Sequence, residues 1–216
     1  MSLYKSFKYT LFLTTIFWII KGFEELTRIS LSHFGIYPRH QDGLIGVILA
    51  PFLHGDMNHL MSNSVPFLVL CTALLFFYKR IAFPVIGLIW LGTGLGVWVL
   101  ARGSYHIGAS GVVYGFASFL FFSGLFRRDF KALGIALAVA ILYGGLVYGV
   151  LPLYPGVSWE SHLIGAIMGG LVAYSFRRFR VDDEEEKEKA ARFDDYKTGY
   201  RNMETDKFKY HYENKK

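Results

Sequence analysis

Five long apolar runs, at 59–78, 82–100, 110–126, 132–150 and 159–176, constrain this chain more than any other feature. Each comes close to the about 20 mostly apolar residues that a bilayer-spanning helix needs. Each is bounded by charges, by Gly or Pro, or by both. Period-2 alternation is absent, which argues against a β-barrel. A further run at 9–20 is followed by Lys21, Glu24 and Glu25. Lys5 and Lys8 give it the basic start of a signal peptide, but no small-residue cleavage site follows. It therefore reads as a first helix from Tyr9 to about Ser30, with its far end in the interface. The expected fold class is an all-α polytopic membrane protein with six transmembrane helices.

Charge supports this division. Only 19% of the residues are charged, against roughly 25% in soluble domains. Up to Phe179 the acids are Glu24, Glu25, Asp42, Asp56, Asp129 and Glu160, and the other eleven of the seventeen follow. Residues 1–179 thus read as a membrane-embedded domain and 180–216 as a charged, disordered cytoplasmic tail, with a short charged helix at 182–192. The net charge of +6 does not imply nucleic acid, because the basic residues lie in short clusters between apolar runs. Lys5, Lys8, Lys79, Arg80, Arg127, Arg128, Lys131, Arg177 and Arg178 fall on one side, and Lys21, Arg28, Arg39 and Arg102 on the other. Nine against four places both termini in the cytoplasm and the loops at 31–58, 101–109 and 151–158 outside. The lone Cys71 lies within an apolar run and reads as a small core residue.

Polar groups inside a membrane are costly and tend to be functional. Here they gather at the outward ends of the second, fourth and sixth runs. The second opens with His54, His59 and Asn63, the fourth with Gly108-Ala-Ser110-Gly111-Val-Val-Tyr114-Gly115, and the sixth with Trp159-Glu-Ser-His162. Ser110 and Tyr114 are four apart and share a helix face, as do His59 and Asn63. Gly111 and Gly115 on one helix, and Gly165 and Gly169 on the other, allow close backbone approach. That packing would bring the Ser110 hydroxyl beside the His162 imidazole, which is what an activated serine nucleophile needs. His59, Asn63 and the Ser110 N–H would supply donors for an oxyanion. The only acid between Asp56 and Glu160 is Asp129, in a cytoplasmic loop, so the expected machinery is a Ser–His dyad with Tyr114 packed on the imidazole. Gly92, Gly94 and Gly96 read as helix packing rather than a phosphate loop. Pro66 is expected to kink the second helix. His106 reads as a loop residue and Glu160 as pointing away from the site.

Three motifs in register, His59-x-x-x-Asn63, Gly108-x-Ser110-Gly111-x-x-Tyr114 and His162 with Gly165-x-x-x-Gly169, resemble the rhomboid family of intramembrane serine proteases over roughly residues 9–178. The resemblance implies a six-helix bundle that cleaves transmembrane segments of other membrane proteins near the outer face. It implies Ser110 as nucleophile, His162 as base, His59 and Asn63 as oxyanion donors, and Tyr114 as the ring supporting the base. His54 matches a further family histidine with a structural or water-organising role. No cofactor or metal is implied, and the partners are transmembrane substrates and the lipid bilayer. The location implied is a multi-pass protein of the bacterial inner membrane. One departure stands out: many rhomboids carry a Trp-Arg pair in the first outward loop, and here that loop has Arg39 without a tryptophan.

The main alternative is a proteolytically inactive rhomboid-like module that binds membrane proteins, although such relatives usually lack the serine or the histidine. A metal hydrolase built on His54, His59, His162 and Asp56 would need ligand spacing that the sequence lacks. A small transporter would be expected to show two repeated halves, and none is found.

Overall fold

The computed structural model describes residues 1–127, 130–153, 156–179 and 190–197. Among them the helices are α1 (Leu3–Thr27), the short α2 (Gly46–Leu49), α3 (Met57–Phe77), α4 (Ala82–Leu100), α5 (Ser110–Arg127), α6 (Phe130–Tyr143) and α7 (Trp159–Ser175). The described residues contain no strand, only an isolated antiparallel bridge between Ile36 and His106. Four segments are long and apolar enough to cross a membrane: Met57–Phe77, Ala82–Leu100, Ser110–Arg127 and Phe130–Val150. The helices α1 and α7 fall outside that set of four.

The chain divides into two units, Met1–Arg178 and Phe179–Lys216. In the second, residues 190–197 are helical. The disorder expected over 180–216, and most of the charged helix expected at 182–192, lie outside the described residues.

The first helix, expected from Tyr9 to about Ser30, begins and ends earlier, spanning Leu3–Thr27. Ser2 accepts the Lys5 N–H on its side chain, which satisfies one orphan donor and starts the helix at Leu3. Arg28 adopts the left-handed conformation at φ 59° and returns its N–H to the Glu24 carbonyl, which ends it. The buried stripe of α1 is Ser6, Thr10, Thr14, Phe17, Lys21 and Glu24. Its hydroxyls donate to carbonyls one turn back, Thr10 to Ser6 at 3.1 Å and Thr14 to Thr10 at 2.9 Å. Small side chains satisfied in this way leave α1 free to pack closely on α3, and Trp18 Nε1 donates across that seam to Ser64 Oγ at 3.1 Å. The helix α3 runs through Pro66 without interruption.

The expected run at 132–150 is not one continuous α-helix. It is α-helical to Tyr143 and continues as a 3-10 turn over Gly144–Val150. The change falls on Gly144 and Gly145, and glycine has the weakest helix propensity after proline.

The centre of the unit is the pairing of α5 with α7, where lipid-like side chains alone would give little specificity. A Cβ built on Gly165 would strike the Gly111 carbonyl oxygen, and one on Gly169 would strike that of Gly115. In return, Gly111 faces the Ser161 carbonyl and Gly115 that of Gly165, with a built Cβ at 3.1 and 3.2 Å. Glycines at these positions therefore let two backbones touch, where dispersion and weak Cα–H···O contacts accumulate. Ser118 Oγ adds a hydrogen bond to the Ala166 carbonyl at 2.6 Å. Gly92 and Gly96 of α4 pack on Met168 and Ile164 of α7, and Gly94 packs on Val47. They make room for neighbouring helices and loops, as expected for packing glycines.

The first connection, between α1 and α3, carries no Trp-Arg pair but is anchored by α4. Arg39 donates to the carbonyls of Val99 and Ala101 at 3.2 and 2.8 Å, placing a cation on the C-terminal dipole of α4. Trp98 Nε1 donates to the His40 carbonyl at 2.9 Å and Trp90 Nε1 to that of Val47 at 3.1 Å. The tryptophans that hold this connection stand on a helix rather than within it.

Candidate active site

Ser110 is the first residue of α5, and the turn before it is built to deliver it there. Gly108 lies at φ +106°, a backbone conformation L side chains rarely adopt. A side chain on Gly108 would also meet the His59 ring, with a built Cβ 2.6 Å from Nε2. The Gly108 N–H donates to the Ala50 carbonyl at 2.8 Å, tying the turn to the first connection.

His162 lies in the first turn of α7 and is buried. Its Nε2 is 2.8 Å from Ser110 Oγ, and its Nδ1 is 2.9 Å from the Gly149 carbonyl oxygen. A carbonyl oxygen can only accept, so Nδ1 carries the proton. Nε2 is then the lone-pair nitrogen, and the Ser110 O–H donates to it. The Tyr114 ring stacks on the imidazole, with centroids 4.2 Å apart and an interplanar angle of 6°. The ring and the Gly149 carbonyl together leave the base little freedom to turn. A hydroxyl donating to an oriented, neutral imidazole is the arrangement from which an alkoxide nucleophile can form.

His59 and Asn63 open α3. Asp56 caps that helix, its Oδ1 accepting the His59 N–H at 2.9 Å, and this bond holds the Asp56 carboxyl below its ordinary range. The Gly55 N–H points to His59 Nδ1 at 3.4 Å, which leaves the proton on Nε2, the nitrogen that faces Gly108. Asn63 is buried and donates one Nδ2 proton to the His59 carbonyl at 2.8 Å. His54 lies deeper, its ring 5.4 Å from Phe17 and 5.1 Å from His59 between centroids. Burial, with His59 close by, pushes it down to about 4, so it is neutral at pH 7. Among the described residues no three His, Cys, Asp or Glu side chains are placed to hold a metal ion.

One part of this site is not evident from sequence motifs. Gly149 contributes a backbone carbonyl, which every residue possesses. Its lack of a side chain is the usable signal, since a Cβ there would collide with the Tyr114 hydroxyl and lie 3.3 Å from His162 Nδ1. Glu160 is buried and pairs with Arg102, Oε1 to Nη1 at 3.3 Å.

The family model for the rhomboid domain matches residues 41–179, well over half of the chain and spanning every residue of this site. The chain belongs to the rhomboid family. It is also 38% identical over 169 residues to uncharacterized proteins of Mycobacterium bovis and Mycobacterium tuberculosis, covering 74% of this chain and 70% of theirs. A similar uncharacterized protein of Mycobacterium leprae is 36% identical over 169 residues, covering 74% of this chain and 66% of its own. As a rhomboid with several apolar helices, it is a membrane protein.

Proposed function

We propose that this rhomboid is an intramembrane serine endopeptidase that cleaves transmembrane segments of other membrane proteins through a Ser110–His162 dyad. One observation carries the reading: Ser110 Oγ lies 2.8 Å from a His162 imidazole whose other nitrogen is held by the Gly149 carbonyl. Inactive binding modules need neither the pair nor its support.

In this mechanism His162 Nε2 takes the Ser110 proton as Oγ attacks the scissile carbonyl carbon. The oxyanion is held by His59 Nε2–H, the Asn63 amide and the Ser110 N–H at the positive end of α5. The tetrahedral intermediate collapses, His162 returns the proton to the leaving amine, and an acyl-enzyme on Ser110 remains. Water then attacks the ester, again with His162 as base, and Ser110 is released. The role of the carboxylate in a serine triad falls to a neutral carbonyl and a stacked phenol ring. Tyr114 and the Gly149 carbonyl orient the base without adding charge at that depth.

The same proposal takes all six long helices as spanning, α1 and α7 included. It sets the protein in a bacterial inner membrane with cytoplasmic termini and the site near the outer face. The 17 residues of α7 rise about 26 Å at roughly 1.5 Å each, slightly less than the ~30 Å hydrocarbon core. In this reading its N-terminal end, with His162, lies toward the outer face.

The test is labelling of the detergent-solubilised protein with a fluorescent fluorophosphonate, comparing wild type with Ser110→Ala and His162→Ala. Strong labelling of wild type alone is expected. A dark wild type beside a labelled rhomboid control would remove the activated dyad and favour a binding module.

A further inference from the structure

The elements that carry Ser110 and His162 are joined a second time, by a polar chain that the proposed chemistry does not use. His106, four residues before Ser110, is 2% exposed. Its Nε2 lies 3.0 Å from the Arg102 carbonyl oxygen, which can only accept, so Nε2 carries a proton. Burial holds this histidine below its ordinary value, so it is neutral at pH 7 and Nδ1 is an acceptor. Ser158 Oγ lies 2.5 Å from that Nδ1 and must donate to it. The Ser158 oxygen is then left to accept from Ser161 Oγ, 2.6 Å away. The protons run one way, from Ser161 to Ser158 to His106 to the Arg102 carbonyl. The Arg102 side chain closes the junction, Nη2 donating to the Val157 carbonyl at 2.9 Å and Nη1 pairing with Glu160 at 3.3 Å.

Ser158 is the N-cap residue of α7, and serine at that position normally accepts a backbone N–H of its own helix. Here it makes no side-chain cap bond. Its hydroxyl serves the neighbouring loop instead, so the local stabilisation of a cap is forgone for a contact between elements. Ser161 directly precedes His162, and its carbonyl lies against Gly111, directly after Ser110. The junction therefore bears on both partners of the dyad within one helical turn.

We infer that His106, Ser158 and Arg102 are positioning residues, clasping the loop before α5 to the start of α7 and so setting the Ser110–His162 distance. The inference rests on the protease reading above. A displacement of about 1 Å at a reacting pair can reduce rate by about 10²-fold, so a loosened clasp would show in chemistry before it showed in folding.

The experiment uses the full chain in detergent and the same fluorophosphonate, with rates per folded enzyme resolved into a maximal inactivation rate and a half-saturating concentration. His106→Phe keeps the ring volume and removes the ring's hydrogen bonds to Ser158, the Arg102 carbonyl and Ser104. Ser158→Ala is the smaller change. His106→Asn retains an acceptor where Nδ1 stood. The expected result is a maximal rate lower by about 10- to 100-fold in His106→Phe and Ser158→Ala, with half-saturation within about twofold. His106→Asn should recover most of the rate. Wild-type maximal rates in both variants, in a wild type that does label, would overturn the clasp and leave the protease standing. A His106→Asn as slow as His106→Phe would overturn it too. A wild type that does not label would remove the protease reading and the clasp together. Should His106→Phe fail to fold, Ser158→Ala decides.

Discussion

Gly165→Ala is the most demanding perturbation, because it adds one methyl group far too small to alter hydropathy. The new Cβ would lie 2.9 Å from the Gly111 carbonyl carbon and 3.2 Å from its Cα, and closer still to the oxygen. Ordinary carbon contacts are about 3.5–4.0 Å, and backbone cannot rotate aside as a side chain can. The helices α5 and α7 must therefore part by roughly 1 Å at this level. Overpacking of this kind typically costs about 1–3 kcal/mol. The Ser110–His162 bond, at 2.8 Å less than one turn above, would stretch beyond hydrogen-bonding distance, with a rate loss of about 10²-fold. The control is Gly170→Ala on the same helix, whose built Cβ meets only flexible side chains at 3.6 to 3.8 Å. Thermal unfolding in detergent and the fluorophosphonate rate read the two effects separately. A Gly165→Ala protein with wild-type melting and wild-type rate would refute backbone contact as what holds the dyad together.

Other substitutions test the parts one at a time. Gly149→Ala should displace the Tyr114 ring and the carbonyl that orients His162; labelling should fall at least tenfold, and an unchanged rate would remove that carbonyl from the base's support. Asn63→Ala should slow turnover by about 10²-fold or less, the scale of one oxyanion donor, and an unaltered rate would take Asn63 out of the site. Asp56→Ala should cost about 1 kcal/mol by uncapping α3, as read by thermal unfolding, whereas Asp56→Asn should be nearly neutral. The Asp56 carboxyl is held low by the His59 N–H, so the charge-dependent part of its contribution is complete above the ordinary carboxylate value of about 3.9 and is lost as pH falls through the lower folded value, while the protonated acid still accepts through its carbonyl oxygen as Asn would. A wild-type to Asp56→Ala difference that did not shrink at all across that range would contradict a charge-assisted cap.

The site was legible in the sequence to the extent that its residues break a pattern. In runs of apolar side chains, Ser110, His162, His59 and Asn63 stand out because polar groups there need a reason. Helical periodicity then predicts which of them share a face, and the structure stacks Tyr114 on His162 and sets the Gly111–Gly115 pair against Gly165 and Gly169. The ends of helices were less legible. The first helix ends at Thr27 because Arg28 turns left-handed, and α6 gives way at Gly144 to a 3-10 turn; the first apolar run stops at residue 20 and the other continues to 150, so composition marks neither end.

By itself the sequence determines the helical class, the apolar runs and the polar residues that open three of them, since each follows from side-chain chemistry at short spacing. Tertiary structure alone decides that the Gly149 carbonyl faces His162 Nδ1, and that Ser158 turns from its own helix to a histidine 52 residues away. Backbone carbonyls are alike along the chain, and a serine hydroxyl has several possible partners. Which partner each one meets depends on where packed helices place the ends of the loops between them.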